Sequence, residues 1–182
     1  MPTLDPALGL VLTLSYSALL LPAAWHKARE LAVFRAVLEA YRLVPRALLT
    51  PASVLLPLTE AGLSVGLFVP ASRAACALAI AALLVVYAFA IGWNVAQGRT
   101  DLDCGCTGPL ERRPVAGWMV TRNVLLAGLV LPAALPWDVR PLLWLDLCSI
   151  LAALATILLL WLAIDRLLGQ VMPRGALFKG SR

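Results

Sequence analysis

The sequence predicts an all-α, polytopic transmembrane bundle, and three observations predict it. Of 182 residues, 62% are hydrophobic and 14% are charged, more apolar surface than a soluble domain of this size can hide. The apolar residues fall in blocks of about 20, the length a helix needs to cross roughly 30 Å of hydrocarbon. No strand-like alternation competes with these blocks, and an open sheet would leave backbone groups unpaired in lipid. The net charge of +5 sits between the blocks, so the expected partner is a lipid bilayer with anionic headgroups and not nucleic acid.

Residues 1–182 read as a single integral membrane domain with five spans, at about 7–24, 51–69, 74–96, 115–135 and 142–164. The first block carries no charge and ends at Trp25, His26 and Lys27, an aromatic and basic edge suited to the interface. Its basic residues follow the block and further spans come after it, which fits a retained helix better than a cleaved signal. The second block holds Glu60 near its middle; the third has no charge and is joined to the second by the short turn 70–73. A turn-rich break at 136–141 divides the fourth and fifth. Arg122 and Asn123 shorten the usable part of the fourth, so four spans is the alternative count.

The first long connection places Leu31, Phe34, Leu38, Tyr41 and Val44 on one helical stripe, with Arg35, Glu39, Arg42 and Arg46 elsewhere. That pattern fits a helix lying on the membrane surface and equally a connecting helix packed on its own bundle. Basic residues concentrate in this connection, in the one around 99–113 and in the tail. By the positive-inside rule these three segments are cytoplasmic and the amino terminus is outside.

The second long connection carries the strongest chemical signal. Cys104 and Cys106 flank Gly105 and follow Asp103, with Gly108 and Pro109 just beyond. A disulfide between residues i and i+2 closes a very small ring, and strain makes such a bond easier to reduce, which suits electron exchange better than bracing. Arg99, Arg112 and Arg113 would favour a thiolate, while Asp101 and Asp103 oppose it. Two other readings stand beside this one: half of a zinc site, and two ordinary reduced cysteines. Zinc is the weaker, because His26 is the only histidine and the remaining cysteines lie in helices; no metal is expected.

The D-C-G-C motif at 103–106 with Gly108 after it, and Asn94 and Gly98 before it, resembles the methylamine utilisation protein MauE family, within the wider MauE/DoxX group of redox-associated membrane proteins. Lys27, Phe34, Tyr41, Pro45, Glu60, Arg122 and Asn123 match in order, over about 7–130; the last span fits in hydropathy only. The resemblance implies a four-helix DoxX-like core plus one span, in a bacterial inner membrane. It implies thiol-disulfide chemistry at Cys104 and Cys106 in maturing a periplasmic client such as methylamine dehydrogenase, with a separate thioredoxin-like partner. The other classes are a non-catalytic membrane scaffold and a DoxX-type quinone- or solute-handling protein. A periplasmic client and a cytoplasmic cysteine loop meet only if electrons cross the membrane or the charge count fails here.

Cys76 and Cys148 are a candidate second thiol pair, both expected toward the outer face. From Cys76 to 96 a continuous helix extends roughly 30 Å, so a relay to Cys104 and Cys106 would need a break, a moving loop or a carrier such as a quinone. Glu60 and Asp146 fall inside apolar spans, where an ionised carboxylate needs a partner, water or a proton. Lys27, Arg99 and Arg122 are the expected partners of Glu60.

Overall fold

In a computed structural model, residues 3–102 and 115–171 are described. They form six α-helices: α1 Pro6–Arg29, α2 Leu31–Tyr41, α3 Arg46–Gly66, α4 Arg73–Ala96, α5 Gly117–Val130 and α6 Trp144–Val171. A 3₁₀ turn, Leu131–Ala134, extends α5. The described residues contain no strand, only an isolated bridge between Leu4 and Trp137. Five helices are long and apolar enough to cross a membrane.

Each helix ends for a local reason. Asp5 caps α1 by accepting from the Ala7 N–H at 2.8 Å, and Pro6 fills the first position, where a missing N–H costs nothing. The chain breaks at Glu30, whose backbone leaves the helical region, and α2 begins one residue later. Gly98 takes a left-handed φ of +73° just past α4, a conformation that spares glycine the strain other residues meet. Pro132 has no N–H for the helical ladder, and the end of α5 tightens to a 3₁₀ turn there. Together the 14 and 4 residues reach about 29 Å at 1.5 and 2.0 Å per residue.

Two apolar clusters hold the bundle. One gathers Tyr16 and Leu20 of α1, Leu67 just past α3, Ile80 and Leu84 of α4, and Val130 and Ala133 at the end of α5 and in the 3₁₀ turn. The other joins Tyr41, Ile91, Val115 and Met119 at the opposite end of α4. The stripe on α2 turns toward the bundle: Phe34 and Tyr41 are buried, Leu38 and Val44 half-buried, and Leu31 exposed. The described contacts therefore match a connecting helix packed on its own bundle. Large apolar side chains such as Leu55, Leu58, Phe89 and Leu125 remain on the outside, as a surface solvated by lipid tails requires. Within α6, apolar side chains from Leu145 to Leu167 are almost all exposed, and the helix rests chiefly on α1.

The first turn of α6 is fixed by charge. Arg140 donates from Nε to Asp5 at 2.8 Å and from Nη1 to Asp146 at 2.7 Å, tying the start of α1 to the start of α6. Asp146, expected within a span, thus lies at its edge and shares Arg140 with Asp5. The hydrogen bond from Arg140 holds the Asp5 carboxyl below the ordinary carboxylate range. Its contribution is complete above that range and is lost as pH falls through the depressed value. Arg140→Ala should lower the midpoint of thermal unfolding and speed proteolysis ahead of α6. Arg140→Lys should recover only part, since an ammonium lacks the fork that serves two carboxylates at once.

Candidate functional site

A buried ionic cluster lies where α1, α3 and α4 meet. Lys27 pairs with Glu60 Oε1, which also accepts from the Tyr87 hydroxyl at 2.6 Å. Lys27 is 6% exposed and Glu60 1%, so both charges are withdrawn from bulk solvent and each depends on the other. The ammonium also sits 5.4 Å from the Phe34 ring centroid and 5.0 Å from that of Tyr87, within cation–π range. Phe34 brings α2 over the pair, so four helices enclose it. Glu60 Oε2 is buried without a protein hydrogen-bond partner.

Of the three cations expected at Glu60, the structure brings only Lys27 there. Arg99 lies 12 residues past Tyr87, beyond the end of α4, and its guanidinium is bound to backbone and Asn94 instead. Arg122 stands between two indoles, 5.3 Å from the ring centroids of Trp118 and Trp161. Asn123, its neighbour, is buried. Tyr87 was not singled out from the sequence. The available signal was a phenol within an otherwise apolar block, which needs a partner once buried.

The second assembly is the base of the cysteine connection. Asn94, fully buried, donates to Ala90 O at 3.0 Å and to Tyr41 O at 3.4 Å. Its Oδ1 accepts from Arg99 at 2.7 Å, and Arg99 also donates to Ala40 O. Carbonyls at the end of α2, orphaned by helix geometry, are thereby satisfied by the segment leading out of α4. Val115 N–H then donates to Leu102 O at 3.0 Å, so the chain leaves and re-enters the bundle at one place. Asp103, Cys104, Gly105 and Cys106 lie outside the described residues, as do Arg112 and Arg113. Cys104 is the second residue past the base and Cys106 the fourth.

Cys76 and Cys148 are free thiols, the first half-buried and the second exposed. Cys76 packs its sulfur where a side chain on Gly66 would otherwise stand. Among the described residues no group of three His, Cys, Asp or Glu side chains converges as a metal site.

The family model for methylamine utilisation protein MauE matches residues 5–136. The chain belongs to the MauE family. It is 34% identical over 167 residues to methylamine utilization protein MauE of Methylophilus methylotrophus, covering 91% of this chain and 88% of that one. Identity to the Paracoccus denitrificans protein of the same name is 35% over 139 residues, 73% and 75% of the two chains. For the Methylorubrum extorquens protein it is 38% over 129 residues, 66% and 69%. No solved structure matches. The MauE match contains the ionic cluster and the cysteine connection, and it stops before α6, the helix that contributes least to the core.

Proposed function

We propose that this MauE protein is a thiol-disulfide exchange protein of the bacterial inner membrane, acting through Cys104 and Cys106 in the maturation of a periplasmic client enzyme such as methylamine dehydrogenase. The observation that carries the reading is the C-G-C pair at 104–106, two and four residues beyond a base fixed by Asn94, Arg99 and the Leu102–Val115 hydrogen bond. A thiol pair close to a rigid base can be offered repeatedly to a partner without unfolding the bundle.

The exchange balances in two steps. Direct exchange with a periplasmic client requires the cysteine connection to face the periplasm, against the charge count. A client thiolate then attacks one sulfur of the Cys104–Cys106 disulfide; the Cys–Cys bond breaks, a mixed disulfide forms, and the other cysteine leaves as thiolate. A second client thiolate then displaces the bound cysteine, leaving the client oxidised by two electrons and Cys104 and Cys106 reduced. A separate thioredoxin-like partner in its disulfide form takes those two electrons and resets the pair. Run backward, the same steps isomerise or reduce a client bond. The cluster at Lys27, Glu60 and Tyr87 serves the fold around this chemistry, while Arg99 ties the start of the cysteine connection to Asn94 and the end of α2.

Purified protein exposed to a mild oxidant should lose two alkylatable thiols per chain, and the Cys104→Ser/Cys106→Ser double variant should lose none by this route. Cys104 and Cys106 remaining fully alkylatable would favour the scaffold reading, in which the chain recruits a partner without exchanging electrons.

A further inference from the structure

We propose that a hydrated path inside the bundle connects the Lys27–Glu60 pair with solvent at the face opposite the cysteine connection, so that water and its protons reach Glu60 from that face. The inference is independent of the thiol reading.

The path follows one face of α1. Gly9, Thr13, Ser17, Leu20, Ala24 and Lys27 are all buried on that helix, and their spacing puts them on a single stripe. From Gly9 to Lys27 the stripe runs about 27 Å at 1.5 Å per residue, most of the hydrocarbon thickness. At the Gly9 end, the indole edge of Trp137 rests where a glycine side chain would be, and its buried Nε1 has no protein partner. Thr13 Oγ1, one turn on, is fully buried and likewise has none. Ser17 Oγ donates to Ser64 O at 3.1 Å, and Ser64 Oγ donates to Glu60 O at 2.7 Å. Where Leu20 and Ala24 interrupt α1, Ser64 on α3 therefore carries the polar line forward. It ends at Glu60 Oε2, a third atom along this line with no hydrogen-bond partner in the protein.

A buried polar atom without a partner costs free energy, and the cost is greatest in hydrocarbon. Three such atoms, one on the α1 stripe and two on the segments packed beside it, with two serines between them, have a common remedy in water, which typically makes about three hydrogen bonds to groups of this kind. A proton on Oε2 would not serve alone, because neutralising Glu60 leaves the Lys27 ammonium without its counter-charge. The Trp137 end carries polar groups that reach solvent: Arg73 lies over the indole ring at 3.6 Å, and Asp5, Arg140 and Asp146 surround the neighbouring turn. The cysteine connection leaves from the other end of α4.

Silver ion, a small cation that reaches thiols only through water, is the probe. In protein held in lipid nanodiscs, Ser17→Cys and Thr13→Cys should be blocked by silver many-fold faster than Ile80→Cys, which is fully buried in the core off the stripe. Rates equal to that of Ile80→Cys at both positions would overturn the path. Adding Thr13→Leu to Ser17→Cys should slow the reaction several-fold; an unchanged rate would mean that water enters from the cysteine end, and would overturn the assigned face. Should a cysteine variant fail to fold, radiolytic hydroxyl-radical labelling of the unaltered chain decides. Leu20 and Lys27 labelled above Ile80 and Leu84 supports the path, and equal labelling refutes it.

Discussion

Lys27→Met is expected to destabilise the bundle by about 3–5 kcal/mol, the usual cost of removing one member of a buried ion pair. The loss arises from the charge left behind. Glu60 would keep one hydrogen bond, from Tyr87, and would face hydrocarbon-facing helices with no cation. Glu60→Gln should be nearly as damaging, because it strands the ammonium, and it should reduce the yield of mature client while the chain still inserts. Lys27→Met/Glu60→Gln should be more stable than either single variant, since neither charge then needs a partner. Tyr87→Phe removes the hydrogen bond to Glu60 and leaves both charges in place, so it should cost less, roughly 1–2 kcal/mol. Unfolding in mixed micelles, followed by tryptophan fluorescence, measures all four. Single losses that simply add in the double variant would show that the two residues do not depend on one another.

Cys104→Ser and Cys106→Ser should each abolish client maturation while leaving the amount of protein in the membrane unchanged. Both are expected to act completely, because the exchange uses one sulfur for attack and the other as leaving group. The amount of protein in the membrane, measured beside client maturation, separates loss of activity from loss of fold. Cys76→Ala and Cys148→Ala provide the comparison. If thiol exchange needs only the C-G-C pair, both keep full activity, and a relay through a second thiol pair would appear as loss in both.

Much of the fold could be read from hydropathy, because a membrane forces each span to declare itself as an unbroken apolar block. The pairing of Lys27 with Glu60 was readable for the same reason: a carboxylate in the middle of a span must find a cation or water, and few cations are near. Three features could not be read this way. The break at Glu30 depends on one residue's backbone angles, and it turns α2 from a candidate surface helix into a lid on the ion pair. Tyr87 looks like any aromatic in an apolar block until α3 is placed beside it. Arg99 was expected to act through its charge on a carboxylate or thiolate, whereas its side chain spans Asn94 and the end of α2. Each depends on which helices are neighbours, information that periodicity does not carry. Orientation is a related case. Lys27 enters the count of loop charges, yet it is neutralised inside the bundle, so the positive-inside argument has one fewer free cation than the sequence suggests.

The measurement that bears most directly on the thiol-exchange account is capture of the mixed disulfide. In cells producing the client enzyme and the thioredoxin-like partner, one of the two variants Cys104→Ser and Cys106→Ser should accumulate a covalent adduct with client or partner through its remaining cysteine. Which variant does so identifies the attacked sulfur. Mass spectrometry after acid quenching and alkylation should place the bond at that cysteine, and reductant should release it. Absence of an adduct from both variants, together with full client maturation in both, would contradict thiol exchange and leave the chain as a membrane scaffold.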